Sequence, residues 1–212
     1  MCTLINIFRT FYNVNIQTMA RRIDETKIER IREAALEIIS ESGILNCSVA
    51  MIAQQANVSV GYLYRHYPSK DELIAFLLKN SLEIINDKIA SLLDEKVSLE
   101  DLVRGVISLV GTTAKEQPAK IKFFIIVFND FSYEVNPDLA EQVRTLSQKV
   151  IDIYGAKGDI KENLSAADIF TALIGVPFQY LSIYFKNLFT QKQTDEEIIE
   201  HISELVLGMI RK

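Results

Sequence analysis

The segment Ser48 to Lys70, SVAMIAQQANVSVGYLYRHYPSK, concentrates residue types that suit docking on a charged polymer. Ser48 and Ser59 each precede a short apolar-periodic run, so each can cap a helix through its hydroxyl. The free backbone N–H groups at such a terminus favour phosphate. Gly61 removes a side chain where backbone could approach a duplex closely. Ser59, Val60, Tyr62 and Arg65 form a face suited to base edges. Arg65 can read guanine bidentately and Val60 can touch a thymine methyl. Plainer roles stand beside these: Ser48 and Ser59 as caps only, Tyr64 as partial core, His66 bonded to a backbone carbonyl.

The elements that must position these residues are two helices of about two turns each, joined at Ala56-Asn57-Val58. Helices so short are marginal alone. They persist if Ile52, Ala53, Val58 and Leu63 dock onto the preceding amphipathic helix, whose Ile28, Ile31, Ala35, Ile38 and Ile39 recur at three and four. Asn57 falls where the turn calls for a positive φ, which Asn tolerates well. This is the grammar of a helix-turn-helix, whose second helix enters the major groove.

Beyond that segment the same helical periodicity continues. Gly43 suits a helix C-cap, and Ser69 to Glu72 reads as a capping box opening a long helix to about Leu93. Ser98 with Asp101, Pro118, Asn136-Pro137, Ser165 with Asp168, and Thr194 with Glu197 mark five further starts. Gly155 to Gly158 reads as a break. The predicted fold is all-α with about nine helices. No segment reaches the ~20 apolar residues that span a bilayer; the nearest, Ile169 to Phe185, contains Pro177 and reads as a buried interface helix.

The segment Ile28 to Leu77 resembles the DNA-binding domain of the TetR/AcrR family of bacterial transcriptional regulators. The resemblance is carried by Ile52-Ala53, Ala56, Val58-Ser59, Gly61, Leu63-Tyr64, His66-Tyr67 and Ser69-Lys70-Asp71-Glu72-Leu73. Asn57 stands where a turn glycine is frequent, and Tyr67 where a phenylalanine is frequent. The resemblance implies a helix-turn-helix domain over 19–79 and a helical ligand-binding and dimerisation domain over 80–212. It implies phosphate contacts from Tyr64, His66 and Lys70. It further implies a homodimer through the last two helices, with recognition helices about one DNA turn (~34 Å) apart on a pseudo-palindromic operator. Such a protein is most often a repressor released by a small molecule.

In the second domain, aromatic side chains cluster among the helices from Leu73 to Tyr184. Phe124, Phe128, Phe131, Phe178 and Tyr184 are the candidate walls for a hydrophobic or aromatic effector, with Thr171 and Gln179 as polar groups to orient it. Ordinary core packing is the competing role for each aromatic.

Composition excludes other classes. There is no Ser/His/Asp or Cys/His set, no Gly-rich phosphate loop and no paired-carboxylate motif, so no enzyme is expected. Two Cys and two His give neither a disulfide framework nor a metal site, and no cofactor is expected. Two free thiols suit a reducing cytosol, so a cytoplasmic location without a membrane partner is expected. The first 18 residues are apolar but interrupted by Arg9, Asn13 and Asn15. They read as a non-native or disordered extension before a start at Met19. The net charge of −5 argues against a nucleic-acid partner until it is divided by region. Residues 1–79 carry nine basic and eight acidic side chains, the remainder fourteen and twenty.

Overall fold

The computed structural model describes residues 24–132, 135–188 and 194–212. The expectation for the first 18 residues lies outside them. Among the described residues there are nine helices and no strand. We label them α1 (residues 24–42), α2 (Val49–Gln55), α3 (Val60–His66), α4 (Lys70–Asp94), α5 (Leu99–Glu116), α6 (Pro118–Phe128), α7 (Pro137–Lys157), α8 (Ala166–Phe185) and α9 (Asp195–Ile210). The chain divides into two compact units, one to Ile74 and one from Ala75, and the division falls inside α4.

The first unit is α1, α2, α3 and the first turn of α4. Ile31, Ala35, Ile38 and Ile39 of α1 are buried, with Ile52 and Ala53 of α2, Leu63 of α3 and Leu73 of α4. Gly43 stops α1 at φ 80°, where an L side chain would be strained. Asn57 takes φ 53° in the turn between α2 and α3. There Val58 N–H donates to Ala53 carbonyl at 2.9 Å and Asn57 N–H to Gln54 carbonyl at 3.1 Å, closing α2 with a Schellman pattern. Cys47 is a buried free thiol whose pKa burial raises.

The second unit is built by caps at the expected residues. Ser165 and Thr194 make reciprocal capping boxes with Asp168 and Glu197. Ser98 and Asn136 cap α5 and α7 through their side-chain oxygens. Two sequence expectations need correction. Gly155 does not break α7, which runs on to Lys157 and ends on Gly158 at φ 76°. Against the expectation that no segment reaches bilayer-spanning length, α8 is 20 residues long, and by length and composition it could cross a bilayer. Its length is explained by a π-turn over Thr171–Gly175, in which Val176 N–H donates to Thr171 carbonyl. The wider turn accommodates Pro177, which has no N–H to give and would crowd an α-helical carbonyl. Ile169, Leu173 and Leu181 of α8 are buried among protein side chains.

α5 and α9 run antiparallel, marked by Lys115–Asp195, Arg104–Glu204 and Arg211–Glu100 ion pairs. Those pairs are exposed and worth little singly. The close approach is made at Gly111, where a Cβ would stand 2.9 Å from Ile199. Tyr154 of α7 is fully buried and donates its hydroxyl to Val97 carbonyl at 3.0 Å, tying α7 to the loop before α5.

Leu63 is the pin of the first unit, 0% exposed in a helix too short to hold itself. Leu63→Ala is expected to cost that unit about 2–5 kcal/mol. Hydrogen exchange of the α1–α3 amides checks this, with protection lost there first.

Candidate nucleic-acid interface and ligand cavity

α3 holds most of the residues singled out for DNA contact. With Leu63 turned into the core, Val60, Gly61, Tyr64 and Arg65 fall on the outward side. Val60 is 41% and Tyr64 48% exposed, large for apolar and aromatic groups in a unit this small. A Cβ at Gly61 would meet nothing within 4 Å. The chain's own packing does not demand a glycine there, although a mid-helix glycine costs roughly 0.5–1 kcal/mol against alanine. The missing side chain leaves the helix surface bare between Val60 and Arg65.

Ser59 caps α3 by accepting from Tyr62 N–H at 3.1 Å, and Ser48 caps α2 by accepting from Met51 N–H at 3.2 Å. Both serines are exposed. Each spends an oxygen lone pair on its own helix and keeps its hydroxyl proton for an outside acceptor.

Tyr62 stands apart from the base-edge face proposed for it. Its ring is half-buried and its hydroxyl donates to the Asp24 carboxylate of α1. Lys27 lies 5.1 Å above the ring and Arg65 5.7 Å from it. Residues four apart share a helix side, so Tyr62 also meets His66, with ring centroids 4.8 Å apart. His66 Nε2 is buried and has no hydrogen-bond partner among the described residues. This pair forms the flank of α3 toward α1.

Lys70 is likewise placed away from a free phosphate-binding position. Its ammonium donates to Ile44 carbonyl at 3.0 Å and to Cys47 carbonyl at 3.1 Å. Those carbonyls belong to the turn that delivers Ser48 and α2. Lys70 thus pins α4 to the approach of α2. Asp24 and Lys27 were not legible as site residues, because nothing in their spacing marks them. Their role comes from the side of α3 they face.

In the second unit, Phe124 and Phe178 line a cavity of about 200 Å³, their ring centroids 4.2 Å apart. Ile85, Val110 and Ile121 complete its apolar wall. The other candidates do not line it. Phe128 stacks on Phe124 from outside at 5.3 Å and is 43% exposed. Phe131 is fully exposed, and Tyr184 is 44% exposed. Thr171 and Gln179 lie on the exposed side of α8, so neither carries the burial cost that suggested a ligand-orienting role. The polar groups that do line the cavity are Ser81, Thr113, Gln117 and Lys120. They are scattered over three segments that read as amphipathic helix or loop, which hid them.

Residues 31–76 match the family model described as bacterial regulatory proteins, tetR family. Over 72 residues the chain is 36% identical to the HTH-type transcriptional regulator PksA of Bacillus subtilis, covering 34% of this chain and 35% of that one. Over 101 residues it is 31% identical to the nucleoid occlusion factor SlmA of Vibrio vulnificus, covering 47% and 52%. The chain therefore spans between a third and about half of the length of these curated relatives. Two solved structures share the fold more widely. A TetR family transcription regulator from Marinobacter aquaeolei superposes with a TM-score of 0.74 at 17% identity, over 91% of this chain and 99% of that one. The fatty acid degradation regulator FadR of Bacillus halodurans gives 0.70 at 18% identity, over 85% and 94%.

The Tyr62 phenol has a pKa pushed up to about 12, first by desolvation and then by its hydrogen bond to Asp24. A proton held more tightly in the folded state stabilises it fully below the ordinary value near 10. That stability is lost as pH rises from there to about 12. Chemical unfolding followed between pH 9 and 12 is expected to show a steeper fall in wild type than in Tyr62→Phe.

Proposed function

The chain belongs to the tetR family of bacterial regulatory proteins, and we propose that it binds a DNA operator as a homodimer and releases it on binding a small molecule. The observation that carries the reading is the outward side of α3. An apolar residue, a bare glycine, a tyrosine and an arginine project from a helix whose N-terminus is capped by an exposed serine. Within that side, Arg65 supplies a fork for guanine, Val60 an apolar contact, and Ser59 and Tyr64 hydroxyls for phosphate. Lys70 acts as a brace for the turn before α2 rather than as a phosphate ligand.

The dimer reading is supported by a stripe on the last two helices. Tyr184 of α8 and Leu205 and Met209 of α9 are each more than two-fifths exposed. Tyr180 of α8 meets His201 of α9 at 5.7 Å between centroids, so the two stripes lie side by side. A surface of this kind suits pairing into a four-helix bundle. The effector reading is supported by the cavity beside Phe124 and Phe178. α4 carries Leu73 and Ile74 of the first unit's core and Ser81 and Ile85 of the cavity lining on one helix. That continuity makes α4 the element through which ligand occupancy would shift the population of DNA-competent conformers. A repressor in the cytoplasm is the reading that follows from these parts together.

Selection of bound fragments from a random duplex pool tests the proposal, with an enriched inverted repeat as the expected result. Arg65→Ala is expected to relax preference at one base pair per half-site, costing about 1–3 kcal/mol there. Tyr64→Ala is expected to weaken all sequences roughly alike. An unchanged preferred site in Arg65→Ala removes the base-reading role from that residue. Leu205→Glu with Met209→Glu is expected to sediment as a monomer and to lose operator binding.

A further inference from the structure

We propose that the cavity in the second unit is a carboxylate site, taking a small amphipathic monocarboxylic acid with its head group on Lys120. The proposal rests on the reading of this cavity as the effector site and names the class of effector. The walls at Ile85, Val110, Phe124 and Phe178 require an apolar body. The polar groups fix the other end. Ser81 donates its hydroxyl proton to Leu77 carbonyl, and Thr113 donates its own to Leu109 carbonyl, each at 2.8 Å. Both hydroxyls are therefore left as acceptors or bystanders.

The donors that remain are the Gln117 amide and the Lys120 ammonium. Lys120 is the one charged side chain in the lining among the described residues. No hydrogen bond or ion pair engages its ammonium there. No carboxylate lines the cavity to neutralise it, in a unit that is otherwise acidic. Gln117 and Lys120 also sit at the start of α6, where the helix dipole favours a negative group. A cavity with apolar walls, spare donors and one unopposed cation is complementary to an anion with an apolar tail.

Size narrows the class further. An apolar cavity of roughly 150 Å³ accepts benzene. The ~200 Å³ here accommodates one aromatic ring or a chain of about eight carbons, together with a carboxylate.

The test is calorimetric titration of the full chain at neutral pH with benzoate and octanoate, and with benzyl alcohol and octanol as uncharged counterparts. At least one acid is expected to bind about tenfold or more tightly than its alcohol. Lys120→Met, at a half-buried position that tolerates an apolar chain, is expected to bring the acid down to the alcohol's affinity. Lys120→Arg is expected to retain the preference. Equal affinity for acid and alcohol in wild type overturns the proposal. So does an unchanged acid affinity in Lys120→Met, or failure of both acids to bind. Operator binding is measured on the same preparations. Intact operator binding without acid preference removes this inference alone. Acid preference without any specific duplex binding removes the regulatory reading and leaves the carboxylate site standing.

Discussion

A helix of two turns forms too few hydrogen bonds to offset its nucleation, and the whole surface proposed to face DNA rests on two such helices. α2 and α3 are ordered by burial, not by propensity. Ile52, Ala53 and Leu63 are all but fully buried with the apolar side of α1. Everything else in the first unit adjusts around that docking. The Asn57 turn sets the crossing of α2 and α3. Ser48 and Ser59 close the exposed termini. Lys70 holds the incoming turn through two carbonyls. Arg32 donates to the Tyr67 hydroxyl at 3.0 Å, adding a second tie between α1 and the end of α3. Because the inner side of α3 is fixed by Leu63, its outer side is fixed too.

That constraint explains which parts of the surface were legible in the sequence. Caps are local, and Ser48, Ser59, Ser98, Ser165 and Thr194 all cap where their spacing placed them. The positive φ at Asn57 is local as well. The side on which a residue falls in a seven-residue helix is not local. Tyr62 lies only one position from Gly61, yet it turns toward α1 because Asp24 and Lys27 offer its hydroxyl and ring partners there. A lysine beside a helix start is equally ambiguous. Lys70 becomes a brace because the Ile44 and Cys47 carbonyls come within its reach.

The cavity was misjudged for a related reason. Aromatic density is an ambiguous sign of a ligand wall, because aromatic residues also stack outward. Phe128 continues the stack from Phe124 toward solvent and meets Phe170 at 5.8 Å between centroids. The polar members of α8 were suspect because the helix reads as apolar throughout. The π-turn at Thr171–Gly175 rotates the helix by an extra residue, so sides assigned on a uniform 3.6-residue period drift. Gln179, beyond the turn, lies on the exposed side while its neighbour Phe178 lines the cavity, and Thr171 is exposed where the turn begins. No periodicity argument locates such a turn without Pro177 being read as its cause.

Charge placement ties both units to one physical picture. The acidic total conceals a first unit close to neutral, so affinity for a polyanion must come from a few placed groups rather than from a basic field. On the proposed reading, few counterions would be displaced on binding, and non-specific affinity would be correspondingly low. On the proposed reading, discrimination between duplexes would rest on the geometry of α3 and on a second copy holding its own α3 at the right spacing. A small change in that spacing would then be enough to lose a site, since little background attraction would retain the protein. Weak non-specific attraction and the proposed control by a small effector would in this sense be one property. The acidic side chains of residues 80–212 add no attraction for a polyanion, which leaves α3 to carry the proposed recognition.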